Sequence, residues 1–161
     1  MNRDRYLYLM RWAEEKPIRK HIICGLTSFI PIFLGIIYVI TIIFAFFFYP
    51  VVLPRLILRP FICFTAVTMI RNYLKAPRPY DLLDFKPLCG YHPGKNKSFP
   101  SRHTASAAII ALELMRIWTG GFGIFCLVLA FLMGICRILC GNHFIKDVIA
   151  GLIIAFFCNY L

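Results

Sequence analysis

The chain has 161 residues, of which 60% are apolar and 16% aromatic, and its mean hydropathy of +0.75 sets it apart from soluble globular domains. Its net charge is +11, which in a soluble protein would suggest nucleic acid. No nucleic-acid-binding motif accompanies that charge, and in so apolar a chain it points instead to anionic lipid headgroups and phosphorylated substrates. Several stretches reach the roughly 20 mostly apolar residues that a helix needs to cross a bilayer. The expected fold is therefore all-α, a polytopic membrane helical bundle of about five transmembrane helices, forming a single domain over 1–161 in the cell membrane.

Residues 3–16 read as an amphipathic helix, with Tyr6, Leu9, Met10 and Ala13 on one face and Arg3, Asp4, Arg11, Glu14 and Glu15 on the other. This predicts an interfacial segment over 1–20 that lies among the headgroups and is ended or redirected by Pro17. The charged start, with no short apolar run and cleavage site after it, does not read as a signal peptide. The first span lies within 21–49, which is longer than one crossing needs, and Pro31 is the candidate for a change from interfacial to spanning chain. The second span runs from about Val51 to Leu74, with Arg55 and Arg59 expected to snorkel to the interface. Residues 75–100 hold five prolines and two glycines and read as a long active-site loop. The third span runs from Ser101 to about Thr119, Gly120-Gly121 is a tight turn, the fourth span covers Phe122–Cys136, and the fifth starts at His143. Glu113 and Arg116, at i and i+3, read as a local ion pair. The seven cysteines show no paired C-x-x-C spacing and read as small buried hydrophobes.

Three basic strings stand at the ends of these apolar segments: Arg71-x6-Arg78-Pro79, Pro100-Ser101-Arg102-His103 and Arg137-x5-His143-x3-Asp147. Charge at membrane level is costly and functional by default. Counting crossings places all three strings at the same face. Guanidinium forks match phosphate oxygens and stay charged. Pro77 and Pro79 stop the second span near Lys75 and put Arg78 in an extended turn. Ser101 is a natural N-cap, and a helix start offers free N–H groups and a positive dipole end to a phosphate. His103, in that first turn, suits general acid–base work. Asp147, one turn from His143, can fix the imidazole tautomer and support its positive charge. Zinc would need three or four good ligands, and only His103, His143 and Asp147 qualify, so no metal and no cofactor is expected. The residues point to one composite phosphate site at a bilayer face, but they leave open which histidine is the nucleophile.

Taken together, the strings resemble the signature of the type 2 phosphatidic acid phosphatase family, whose fold is shared with bacterial acid phosphatases and vanadium haloperoxidases. The family pattern K-x6-R-P, P-S-G-H, S-R-x5-H-x3-D is matched in order and spacing over roughly residues 50–161, with Arg71 for the lysine, Arg102 for the glycine and Cys136 for the serine. The resemblance implies that His143 attacks phosphorus to form a phosphohistidine. It implies that Asp147 orients His143 and that His103 protonates the leaving oxygen and then activates water. It implies that Arg71, Arg78, Ser101, Arg102 and Arg137 hold the phosphate oxygens, with no metal required.

The function expected is a membrane lipid phosphatase acting on a phosphomonoester or diphosphate headgroup of the phosphatidylglycerophosphate, phosphatidic acid or undecaprenyl diphosphate type. A lipid phosphotransferase and a non-catalytic anionic-lipid binder or transporter are the alternatives; turnover, and the acceptor of the phosphate, separate them. A vanadate-dependent oxidase does not suit so apolar a chain. Five spans put the N-terminus on the site's side, and its cluster of Arg3, Arg5, Arg11, Lys16, Arg19 and Lys20 favours the cytoplasm. A first segment that does not cross once reverses that parity. Oligomeric state is not legible in the sequence.

Overall fold

The computed structural model describes residues 3–161; the first two residues of the expected interfacial segment lie outside the described residues. In chain order the helices are α1 (Arg3–Glu15), α2 (Pro17–Phe48), α3 (Leu53–Leu74), α4 (Pro79–Leu83), α5 (Arg102–Ile117), α6 (Gly121–Leu139) and α7 (Ile145–Cys158), with a 3-10 turn at Pro50–Val52. No strand occurs among the described residues. The all-α bundle expected from hydropathy is the fold observed. By length and composition Pro17–Phe48, Pro50–Leu83 and Gly121–Leu139 can each cross a membrane. The other two long segments, α5 and α7, have 16 and 14 residues.

Pro17 begins α2 at a position where a missing N–H costs nothing. The helix then runs unbroken through Pro31. Its 32 residues span about 48 Å, well beyond a hydrocarbon core of about 30 Å. Near its N-terminal end Ile23 packs with Met10 and Ala13 of α1, Leu88 and Cys140. The apolar face of α1 is thus covered by protein: Tyr6, Met10 and Ala13 are buried, while Tyr8 and Trp12 remain exposed on the other side.

The centre of the bundle is α5, which touches α2, α3, α6 and α7. Ala105, Ala107, Ala108 and Ala111 are buried along it, and small side chains let helices approach closely without a hydrophobic force between them. Around the outside, Phe29, Ile32, Ile36, Phe46 and Phe61 are exposed, as befits a lipid-facing surface. A close helix approach occurs at Gly151 of α7, where an added Cβ would sit 2.8 Å from the Ser101 carbonyl oxygen. Because that neighbour is backbone, Gly151→Val should destabilise the protein by about 1–3 kcal/mol, read as a lower midpoint of thermal unfolding in detergent.

The helices run alternately between two ends. At one end Trp118 donates its indole N–H to Thr41 Oγ1 at 2.8 Å and stacks on Phe44, while Arg116 donates to the Asn159 carbonyl at 3.1 Å. Near this end Arg59 meets Glu113 at 3.1 Å, both side chains under 10% exposed. Two expectations are corrected here. Arg59 does not snorkel, because it faces the bundle interior, where its charge finds a partner. Glu113 pairs with Arg59 rather than with Arg116, because that long-range neighbour is buried beside it. Arg55 is exposed. The opposite end collects the C-terminus of α3, the starts of α5 and α7, the end of α6 and the long loop.

Candidate active site

The last turn of α3 carries Arg71 into the bundle, and Lys75 closes the helix in a left-handed conformation at φ 44°. Arg71 is buried, and its Nη1 donates to the Pro100 carbonyl at 2.7 Å and to the Ser98 carbonyl at 3.3 Å. Part of its donor set therefore pins the loop that leads into α5. The Ser98 N–H donates to the Ala76 carbonyl at 2.9 Å, drawing the two ends of the loop together. Arg78 is extended, at φ −82° and ψ 160°, as the flanking prolines require. It precedes the short helix α4, an element inside the loop that turn chemistry did not reveal.

Ser101 occupies the N-cap position of α5 but makes no side-chain cap. Its hydroxyl pairs with the Thr104 hydroxyl at 2.9 Å, and its N–H donates to the Asp147 carbonyl at 2.9 Å. The expected capping hydrogen bond is thus replaced by a hydroxyl pair, because both side chains are fully buried against α7. The opening N–H groups of α5 keep no side-chain partner. Beyond them, Arg102 lies over the Phe64 ring at 5.3 Å, and His103 is exposed.

The third string is organised by Asp147. As the third residue of α7, it accepts the Phe144 N–H through Oδ2 at 2.9 Å, the carboxylate half of a capping box. The same oxygen accepts the Ser98 hydroxyl and lies 3.4 Å from His143 Nδ1. His143 precedes the helix rather than starting it, so the two side chains meet through this N-terminal turn and not along a helix face. His143 is 2% exposed, and its carbonyl accepts the Tyr6 hydroxyl at 3.0 Å. The Arg137 side chain, in the last turn of α6, makes no hydrogen bond or ion pair among the described residues, and its buried Nε is without a partner, as is that of Arg78. Arg78 lies over the Tyr80 ring at 5.8 Å; two half-buried guanidiniums with no carboxylate partner suit an anion.

The first two strings line a cleft of about 590 Å³ through Arg71, Arg78, Arg102 and His103, with His92, Lys95 and Lys97 from the loop; Arg137, His143 and Asp147 of the third string do not line it, and Asp147 lines a separate pocket with Ala76 and Phe144. A second groove of about 250 Å³ shares Arg102 and His103 and continues among Pro31 and Leu34 of α2, Phe64 of α3 and Ile110 of α5. Burial pushes the His143 imidazole down from its ordinary 6.5 to about 4, with Asp147 pulling up and Arg78 and Arg137 pushing down. The ring is therefore neutral, with a free lone pair, across the neutral range. Below pH 6.5 the unfolded chain takes up a proton that the folded site refuses, so stability should fall as pH drops from about 6.5 to 4. Thermal midpoints measured across that range check this, and His143→Gln should flatten that part of the curve.

The eight polar residues predicted for the site lie at one end of the bundle. Sequence reasoning missed Ser98 and Tyr6, which hold Asp147 and the His143 backbone. The run Lys95-Asn96-Lys97-Ser98, basic and immediately before the second string, was the available signal for Ser98. Nothing local marked Tyr6, 137 residues from its partner.

Residues 34–161 match the family described as the PAP2 superfamily, a longer stretch than the motifs alone covered. Among solved structures, LpxE of Aquifex aeolicus is similar at 29% identity and a TM-score of 0.75, over 96% of this chain and 92% of that one. The first transmembrane PAP2-type phosphatidylglycerolphosphate phosphatase from Bacillus subtilis is similar at 25% identity and a TM-score of 0.65, over 98% of this chain and 82% of that one. No curated protein matches the chain.

Proposed function

The chain belongs to the PAP2 superfamily, and from that membership we propose that it is a membrane lipid phosphatase that cleaves a phosphomonoester or diphosphate from a lipid headgroup through a phosphohistidine. The observation that carries the reading is the pair of Arg78 and Arg137 guanidiniums, each with an unpartnered Nε, at the same end of the bundle as His103 and the His143–Asp147 pair. The apolar groove that opens from the same cleft at Arg102 and His103 favours a substrate with a lipid tail over a soluble phosphate.

In this mechanism Arg71, Arg78, Arg102 and Arg137, with the N–H groups opening α5, hold the phosphate oxygens and stabilise the charge that builds on them. Asp147 keeps the proton on Nδ1 of His143, so Nε2 carries the attacking lone pair. Nε2 bonds to phosphorus as the ester or anhydride oxygen departs, and that oxygen takes a proton from His103. His103, now neutral, accepts a proton from water as the water oxygen attacks phosphorus and the N–P bond breaks. Inorganic phosphate leaves, and both histidines return to their starting states. Among lipid substrates, phosphatidylglycerophosphate is the first candidate, from the similarity to the Bacillus subtilis phosphatase; phosphatidic acid and undecaprenyl diphosphate are the others.

The test is phosphate release by detergent-solubilised protein, with EDTA in excess, on a panel of these three lipids and on a water-soluble phosphomonoester. The reading predicts turnover on at least one lipid and little on the soluble ester. Lipid binding without turnover would favour an anionic-lipid carrier. Phosphate appearing on an added alcohol rather than on water would favour a phosphotransferase.

A further inference from the structure

Three cysteines that are far apart in sequence meet beside the active-site loop. Cys24 comes from the N-terminal part of α2, Cys89 from the loop and Cys140 from the residue that ends α6. Their sulfurs all lie within 4.8 Å of one another, and those of Cys89 and Cys140 are 3.0 Å apart, closer than unbonded sulfurs rest. All three are free thiols, two half-buried and one buried. They sit at the smaller apolar core of Met10, Ala13, Ile23 and Leu88, apart from Cys63 and Cys126 in the bundle core. Around the cluster are polar groups: Thr27 Oγ1 lies 3.8 Å from Cys89 Sγ, and the charges of Lys20 and Arg137 reach Cys24 and Cys89. Two cations beside three sulfurs suit a site that gathers thiolate charge.

We propose that Cys24, Cys89 and Cys140 bind a thiophilic divalent cation of the zinc type, as three thiolate ligands with the fourth position left to water. A tetrahedral zinc holds sulfur at about 2.3 Å, which places the sulfurs about 3.8 Å from one another. The triad reaches that arrangement by opening its shortest separation and closing its widest, each by about an ångström or less. On binding, three metal–sulfur bonds form and the remaining thiol protons pass to solvent.

The site clips together three segments that shape the catalytic end. Leu88 already donates its N–H to the Cys140 carbonyl at 3.0 Å, and the Asn142 side chain donates to the Cys89 carbonyl at 3.0 Å. His143 follows Cys140 by three residues. A metal here fixes the loop against the connection that delivers His143, while the phosphate itself is held by the arginines. The role is structural and does not depend on the phosphatase reading.

The experiment is a titration of the full-length, reduced protein in detergent with cadmium(II), followed by the ultraviolet charge-transfer band of cadmium–thiolate bonds. The expected result is a band of three-thiolate intensity, saturating at one equivalent and displaced by zinc. Bound metal should also protect these three cysteines, and not the others, from alkylation mapped by peptide mass. Cys24→Ser and Cys89→Ser should each remove about a third of the band, and Cys126→Ser should leave it unchanged. No band on the folded wild-type protein, or equal alkylation with and without metal, overturns the proposal. So does a Cys89–Cys140 disulfide that persists in metal-free purified protein and reforms after reduction despite added zinc. The wild-type titration decides the matter even where a serine variant fails to fold.

Discussion

His143→Ala should lower kcat by about 10⁴-fold or more while leaving lipid binding largely in place. The two effects separate because the residues that would hold the phosphate are not the residue that would attack it. Arg71, Arg78, Arg102 and Arg137 come from α3, the loop before α4, the start of α5 and the end of α6, and none depends on the imidazole for its position. The ring is buried and its Nδ1 lies 3.4 Å from Asp147, so on the proposed mechanism alanine removes the attacking lone pair. Steady-state kinetics on the preferred lipid, with a binding assay on the same variant, check this. Turnover within about tenfold of wild type would show that another group attacks. Asp147→Asn should also be severe, because Oδ2 receives the Phe144 N–H and the Ser98 hydroxyl together and on the proposed mechanism orients the imidazole.

The second large effect concerns stability. Glu113→Gln should destabilise the protein by about 3–5 kcal/mol. The carboxylate is 3.1 Å from Arg59, with both side chains nearly sealed from solvent, and its loss strands a guanidinium within the helical bundle. The Arg59→Met/Glu113→Leu double variant should recover most of that loss, since a well-packed apolar pair replaces two costly charges. Thermal or denaturant unfolding of Arg59→Met, Glu113→Leu and the double variant in one detergent gives the coupling. Equal losses in all three would mean that the sites matter for packing rather than for charge.

The parts of the fold that were legible in sequence are those set by local chemistry. Pro77 and Pro79 end α3 where expected, Gly120 and Gly121 turn the chain between α5 and α6, and the order of the strings fixes their common end. The pairing of Arg59 with Glu113 was not legible, because a partner 54 residues away follows from how α3 packs on α5, and no periodicity records that. The same holds for the cysteines: each reads alone as a small buried hydrophobe, and only the meeting of α2, the loop and α6 makes three of them neighbours. Ser101 shows a subtler failure. Its position at the helix start was correct, but burial against α7 turned its hydroxyl to Thr104 instead of the backbone. The apolar face of α1 was read from its amphipathicity, which reports that a face is covered and not what covers it.

The most direct measurement is a rapid-quench trap of the enzyme with a lipid substrate carrying labelled phosphate, analysed by alkaline digestion and mass spectrometry. The account predicts a transient phosphoryl group, labile to acid and stable to base, on Nε2 of His143. It should be absent in His143→Ala and longer-lived when the proton transfer to and from His103 is slowed by His103→Asn. Turnover with no phosphoprotein at any quench time, or label on His103 instead, would contradict the assignment of His143 as the group that attacks.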